Sequence, residues 1–289
     1  MQDQAKSLRE KVTNLKKNSN KNTNFLAITS GKGGVGKTNI VANLAYILAN
    51  EFNKKILAFD ADLGLGNLNV LLGIKTKYTL RDVIEYGFPI KNIIINYKGF
   101  DILPGLSDIT GIDEVKEDDV NFLLFQLKDI CKDYDLILID TSAGIGKDVI
   151  SFIAASNKTT VITTPEPTAL ADAYALIKKL YIDYGYKNFD LIFNMVRSSQ
   201  EFTESVNKLS YVCQRYLNFI PSLLGSLPFT LKLRECVKKR QLIAEVYPNS
   251  EFSLKLKNIA AKILNLKIEN NKQNFWDKLL SILKIRRQK

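Results

Sequence analysis

The chain alternates between runs of consecutive apolar residues and longer stretches whose apolar positions recur every three or four residues. The first kind reads as strands buried on both faces: "NFLAITS" (24–30), "KILAFD" (55–60), "FDILPG" (100–105), "DLILID" (135–140), "KTTVITT" (158–164), "FDLIFNMV" (189–196) and "SLLGSLP" (222–228). The second reads as helices. In residues 38–52, Val41, Leu44, Ala45 and Leu48 share one face, and 117–132 and 168–184 have the same periodicity. Strands alternating with helices predict an α/β fold: a doubly wound, mostly parallel sheet with helices on both faces. There is no internal repeat. The polar stretches "KKNSNKNTN" (16–24) and "NLKIENNKQN" (265–274) read as linkers. They divide the chain into a basic tail (1–23), one large domain (24–265), a linker (266–274) and a terminal helix (275–289).

Composition narrows the chemistry. No apolar run reaches the roughly 18 residues of a membrane span, and the opening "MQDQAKSLRE" lacks the apolar stretch of a secretory signal. Cys131, Cys213 and Cys236 are scattered and odd in number, which fits reduced, buried thiols of a cytoplasmic protein. The chain has no histidine. Ser-His-Asp and Cys-His catalysis are therefore excluded, and a general base must be a carboxylate, a lysine, a tyrosine or water. The net charge is +11, but the two tails (1–24 and 265–289) hold +9 of it. A near-neutral core with basic ends points to contact with an acidic surface through the ends, and nucleic acid is not an expected partner of the core.

"TSGKGGVGKTN" (29–39) carries the main chemical signal. Gly31, Gly36, Lys37 and Thr38 fit G-x-x-x-x-G-K-[ST], placed as the phosphate loop requires, after a strand and before a helix. The stretch Gly33, Gly34, Val35, Gly36, Lys37, Thr38 and Asn39 would enclose the phosphates of ATP with backbone N–H groups. Lys37 would neutralise the β/γ oxygens and the Thr38 hydroxyl would hold Mg²⁺. "AFDADLGLGN" (58–67) puts Asp60 and Asp62 at a strand end. "LILIDTSAGIG" (136–146) reads as a Walker B strand with Asp140 as the Mg²⁺ carboxylate, followed by a switch loop with Thr141, Ser142 and Gly144 able to sense the γ-phosphate. One aspartate at a strand end could equally cap a helix; capping alone does not account for three.

"KGGVGKT", with a lysine at position 32 as well as 37, resembles the deviant Walker A motif of the MinD/ParA family of dimerising ATPases. The resemblance implies that Lys32 reaches the nucleotide of a partner subunit, that Asp62 positions the attacking water and that Asp60 supports Mg²⁺ and Thr38. It implies adenine contacts at Asn194 and near Pro228, although "LPFTLKLRECVKKRQLIAEVYPNS" (227–250) departs from the family's usual pattern there. "DADLGLGNLNVLLG" (60–73), "TTPEPTALADAYALIKKL" (163–180), "FNMVRS" (193–198) and "DQAKSLRE" (3–10) resemble the flagellar-number-regulator branch of that family, the FlhG (FleN) type. This branch implies flagellar switch or C-ring proteins as partners. It also implies an N-terminal helix (Asp3, Gln4, Ala5, Leu8, Arg9) that stimulates FlhF, an SRP-type GTPase.

The end of the chain, "NFWDKLLSILKIRRQK", gathers Phe275, Trp276, Leu279, Leu280, Ile282 and Leu283 in an arc of roughly 160°. Lysines stand opposite and a basic tail follows, the pattern of a helix lying on an anionic membrane. Packing of that helix on its own core is the competing reading. The function expected is an ATP-dependent switch, a slow Mg²⁺-ATPase that forms a homodimer with ATP, associates with the inner face of the cell membrane and regulates flagellar number or placement. The alternative is a ParA/MinD-type ATPase for DNA partitioning or division-site placement.

Overall fold

The computed structural model describes residues 23–62, 67–105, 125–265 and, near the end of the chain, 275, 276, 278, 279, 281 and 282. The expectations for the N-terminal helix, the 266–274 linker, Leu280 and Leu283 lie outside the described residues.

An eight-stranded sheet runs in the order β3-β4-β2-β5-β1-β6-β7-β8. Its strands are β1 (Asn24–Ser30), β2 (Ile56–Ala61), β3 (Ile95–Tyr97), β4 (Phe100–Leu103), β5 (Leu136–Ala143), β6 (Lys158–Thr163), β7 (Phe189–Val196) and β8 (Ser222–Pro228). Every pairing is parallel except the β3–β4 edge hairpin. Seven strands lie where the apolar runs placed them. The eighth, β3, is three residues long and has exposed Asn96 at its centre, so only Ile95 of it belongs to the apolar run Ile93–Ile95.

The helices are α1 (Lys37–Asn50), α2 (Asn67–Leu72), α3 (Leu80–Tyr86), α4 (125–131), α5 (Lys147–Ala155), α6 (Pro167–Tyr184), α7 (Ser199–Leu217), α8 (Leu231–Lys238), α9 (Ile243–Val246) and α10 (Glu251–Asn265). Alternate strand residues face opposite layers. Leu26 and Ile28 of β1, Ile56 and Ala58 of β2, and Leu136 and Leu138 of β5 pack with α1, α9 and α10. Phe25, Leu57, Phe59, Ile137 and Ile139 pack on the other side with α3, α4 and part of α5. Further along that side, α5, α6 and α7 cover Ala27, Val161, Leu191 and Phe193. This two-sided burial is why the strands read as continuous apolar runs rather than alternating ones.

The terminal helical segment belongs to the second layer. Phe275, Trp276 and Leu279 are buried among Phe25, Cys131 and Tyr134. The Phe275 ring stacks on Phe25 with centroids 4.1 Å apart and an interplanar angle of 4°, and Trp276 meets Phe25 edge-on. The apolar face expected on a membrane is thus packed on the protein's own core in this state, with Ile282 half-buried at its end. The physical reason is that an arc of aromatic and leucine side chains fits an apolar groove as well as a lipid surface. The docking is not free of cost: Lys278 rides with the segment, and burial pushes its ammonium below the usual lysine range.

Candidate nucleotide site

The parallel register of β2, β5 and β1 assembles the site at their C-terminal ends. Asp60 stands opposite Asp140, and Ile28, three residues before the phosphate loop, pairs with Asp140 from the other side. The loop that follows β1 needs its glycines. Gly34 and Gly36 have φ of +80° and +88°, which only glycine adopts at little cost. At Gly31 a Cβ would come within 2.2 Å of the Asp172 backbone, so α6 approaches the loop only because that position is bare.

Lys37 is 8% exposed, and its ammonium donates to Asp140 Oδ1 at 2.5 Å. Asp140 is 1% exposed. Burial pushes its carboxyl up, opposed by Lys37 and by the adjacent Thr38 hydroxyl. Its second oxygen, Oδ2, is buried and has no hydrogen-bond partner among the described residues. Asp60 is fully buried and is raised to about 6, chiefly by burial, with Asp140 adding to the effect; the N–H groups of Leu68 and Asp62, which donate to its carboxylate, work against it. Two buried carboxylates served by one lysine leave this corner short of positive charge.

That deficit fits Mg²⁺, for which Asp140, Thr38 and Asp60 would offer a hard oxygen set. Among the described residues no cluster of three or more acidic, cysteine or histidine side chains forms a cage by itself. An ion here would draw its remaining ligands from nucleotide oxygens and water, as Mg²⁺ commonly does.

The other charged groups are also engaged within the chain. Lys32 Nζ donates to Thr168 Oγ1 at 2.9 Å and to Glu166 Oε2 at 3.3 Å, at the start of α6. Its side chain is 41% exposed, whereas Lys37 and Asp140 form a buried pair. Asp62 Oδ1 accepts the Ser142 hydroxyl at 2.9 Å. Thr141 is buried with its hydroxyl on Ile28 O, and Gly144, at φ +93°, donates its N–H to Ser30 O at 2.8 Å, tying the switch loop to β1.

A family model described as an AAA domain matches residues 23–191. The chain is 37% identical over 239 residues to the antiactivator FleN of Pseudomonas aeruginosa, covering 82% of this chain and 85% of that protein. The chain belongs to the MinD/ParA family of P-loop ATPases. It is 35% identical over 252 residues to the flagellum site-determining protein YlxH of Helicobacter pylori, covering 84% and 83% of the two chains. The septum site-determining protein MinD of Pyrococcus horikoshii, solved as a complex with Mg-ADP, superposes with a TM-score of 0.66 at 25% identity, covering 85% of this chain and all of that one.

Within this MinD/ParA architecture the expected residues fall into groups. Lys37, Thr38, Asp60, Asp62, Asp140 and the 33–39 loop come together. Pro228 lines a cavity of about 420 Å³ with Arg197, Ser226, Phe229 and Lys255 at the C-terminal ends of β7 and β8. Asn194, expected at the adenine, is 1% exposed and donates its side-chain amide to Val35 O at 2.8 Å. That bond braces the phosphate loop against β7. A Cβ on Gly36 would run into Asn194 at 2.5 Å, which explains the need for glycine there beyond its φ. Sequence reasoning missed Glu166 and Thr168 as the holders of Lys32. Both lie in "TTPEPT", a segment notable for its family likeness but with no role attached to it.

Proposed function

We propose that this chain is a Mg²⁺-ATP-dependent dimerisation switch, a slow ATPase that regulates flagellar number or placement. One observation carries the dimer: Lys32 is exposed and held at the start of α6, while Lys37 alone occupies the interior of the loop. A second lysine with no work in its own loop is suited to the phosphates of a partner subunit, as an arginine finger is. The flagellar reading draws on the similarity to FleN and YlxH, the latter named for determining the flagellum site.

The backbone N–H groups of residues 33–38 would enclose the phosphates, and Lys37 would leave Asp140 for the phosphate oxygens. Asp140 and Thr38, supported by Asp60, would then hold Mg²⁺, which when bound neutralises charge on the phosphate oxygens. Asp62 would take the proton of the attacking water, a carboxylate base suited to a chain without histidine. Thr141, Ser142 and Gly144 would relay the loss of the γ-phosphate.

Membrane association follows from the same switch. Phe275, Trp276 and Leu279 are docked on the core, and ATP-driven pairing would release two such segments at once. Two weak anchors on one dimer bind far more tightly than one. Residues 3–9 would act on FlhF, with flagellar switch or C-ring proteins as further partners.

The test is the size of the protein in solution. With ATP, Mg²⁺ and an Asp62→Ala chain that does not turn over, the protein should run as a dimer, and with ADP as a monomer. A monomer under both conditions would refute the switch.

A further inference from the structure

We propose that Ser142 is a positioning residue whose hydroxyl holds the Asp62 carboxylate in the orientation from which it accepts the proton of the attacking water. The proposal rests on reading Asp62 as that base. It goes further by naming the group that aims it.

The geometry comes from the sheet. β2 and β5 pair in parallel with Asp60 opposite Asp140 and Ala61 opposite Thr141. The next step along each strand brings Asp62 beside Ser142, and Ser142 Oγ lies 2.9 Å from Asp62 Oδ1. The backbone N–H of Asp62 is meanwhile fixed on Asp60 Oδ1 at 3.1 Å. The main chain is therefore anchored by one contact and the carboxylate by another. A donor on Oδ1 sets the plane in which Oδ2 lies.

Electrostatics make this donor matter. Asp62 shares its corner with the carboxylates of Asp60 and Asp140, whose charges repel it. The hydroxyl offers a neutral donor to Asp62 without the positive charge by which a lysine would compete with Mg²⁺ for the carboxylates. Ser142 also sits two residues before Gly144, whose N–H is tied to Ser30 O. Asp62 is thus joined through one side chain to the end of β5, directly before the loop at Gly144.

The experiment is single-turnover ATP hydrolysis by Ser142→Ala, Ser142→Thr, Asp62→Ala and Ser142→Ala/Asp62→Ala, in the full chain with Mg²⁺. Losing a hydrogen bond to a charged group costs roughly a tenfold to hundredfold factor. Ser142→Ala should lower the hydrolysis rate by about that factor, with ATP affinity and ATP-dependent dimerisation within about threefold of the parent. Ser142→Thr, which keeps the hydroxyl, should regain most of the rate. In the Asp62→Ala background, Ser142→Ala should cost nothing further.

An unchanged rate in Ser142→Ala beside an inactive Asp62→Ala would overturn the inference and leave the base intact. A loss confined to ATP affinity, or a further loss in the double variant, would also overturn it, because the hydroxyl would then act on the nucleotide or elsewhere. Full hydrolysis by Asp62→Ala would overturn the base itself. Failure of Ser142→Thr to recover would show that packing, not the hydroxyl, is what the site needs.

Discussion

Phe275 lies flat on Phe25, ring centroids 4.1 Å apart. One ring belongs to the terminal helix and the other to the first residue pair of the central strand, so the stack ties the end of the chain to the sheet. An aromatic pair contributes about 0.5–1.5 kcal/mol beyond its area. Phe25→Leu keeps an apolar side chain in the core but removes the stack. It should weaken docking by about 1 kcal/mol, which raises nucleotide-free binding to anionic vesicles by roughly fivefold. Co-sedimentation without nucleotide checks this. No gain in binding would mean that the docked helix is a permanent part of the core.

Cys131 reports on the same contact. It is 4% exposed and packs in one cluster with Trp276. Burial pushes its thiol up to about 12, only partly offset by the Trp276 indole. At pH 8 almost none of it is thiolate, and the thiolate is the reacting form. If the helix leaves on ATP binding, the thiol regains water and its pKa falls toward the ordinary range, so alkylation at pH 8 should accelerate by at least about tenfold. Cys213, fully buried in the α6–α7 layer and raised to about 11, should stay slow and serve as the internal control. Equal Cys131 labelling with ADP and with ATP would contradict release of the helix.

The phosphate loop, the Walker B strand and the positions of seven strands along the chain are legible because each is local, whereas the order of the strands in the sheet is not. A glycine pattern between a strand and a helix, or four apolar residues ending in Asp140, is specified by neighbours in sequence. The pairing of Lys32 with Glu166 and Thr168 was not legible, since it spans over 130 positions and depends on the bare face of Gly31 letting α6 approach. Asn194 was assigned to the base from likeness alone. The partner it has within the chain, the Val35 carbonyl, is a backbone atom and carries no sequence signal. The terminal helix shows a different limit. Its amphipathic arc can be read in the sequence, but an apolar face does not say whether lipid or protein covers it.

The two lysines should differ in what their loss does to the folded chain. Lys37→Ala strips Asp140 of its counter-charge in a buried corner. Breaking such a pair costs about 3–5 kcal/mol, and ATP affinity of the monomer should fall with it, since a charge-assisted phosphate contact is lost. Lys32→Ala breaks an exposed pair with Glu166, which is worth about 0–1 kcal/mol. Its melting temperature and monomer ATP affinity should be close to those of the parent. Thermal melts and equilibrium nucleotide binding on the two variants test the contrast. Equal loss of monomer affinity in both would return Lys32 to its own loop.

A mixing experiment decides whether Lys32 works across the dimer. Lys32→Ala alone should fail to dimerise with ATP and Mg²⁺, and Asp62→Ala alone should dimerise without hydrolysing. In a two-fold symmetric pair of unlike chains, the two sites are no longer equivalent. The site of the Lys32→Ala chain keeps its own Asp62 and receives Lys32 from its partner. The site of the Asp62→Ala chain has neither its base nor a donated lysine. An equimolar mixture should therefore regain hydrolysis, at most roughly a quarter of the parental rate if pairing is random, because about half the dimers are mixed and each has one competent site. The recovered activity should grow when Asp62→Ala is added to a fixed amount of Lys32→Ala, then level off. If Lys32 served its own loop instead, every site in the mixture would lack one of the two groups. The rate would then stay at the level of the separate variants at any ratio.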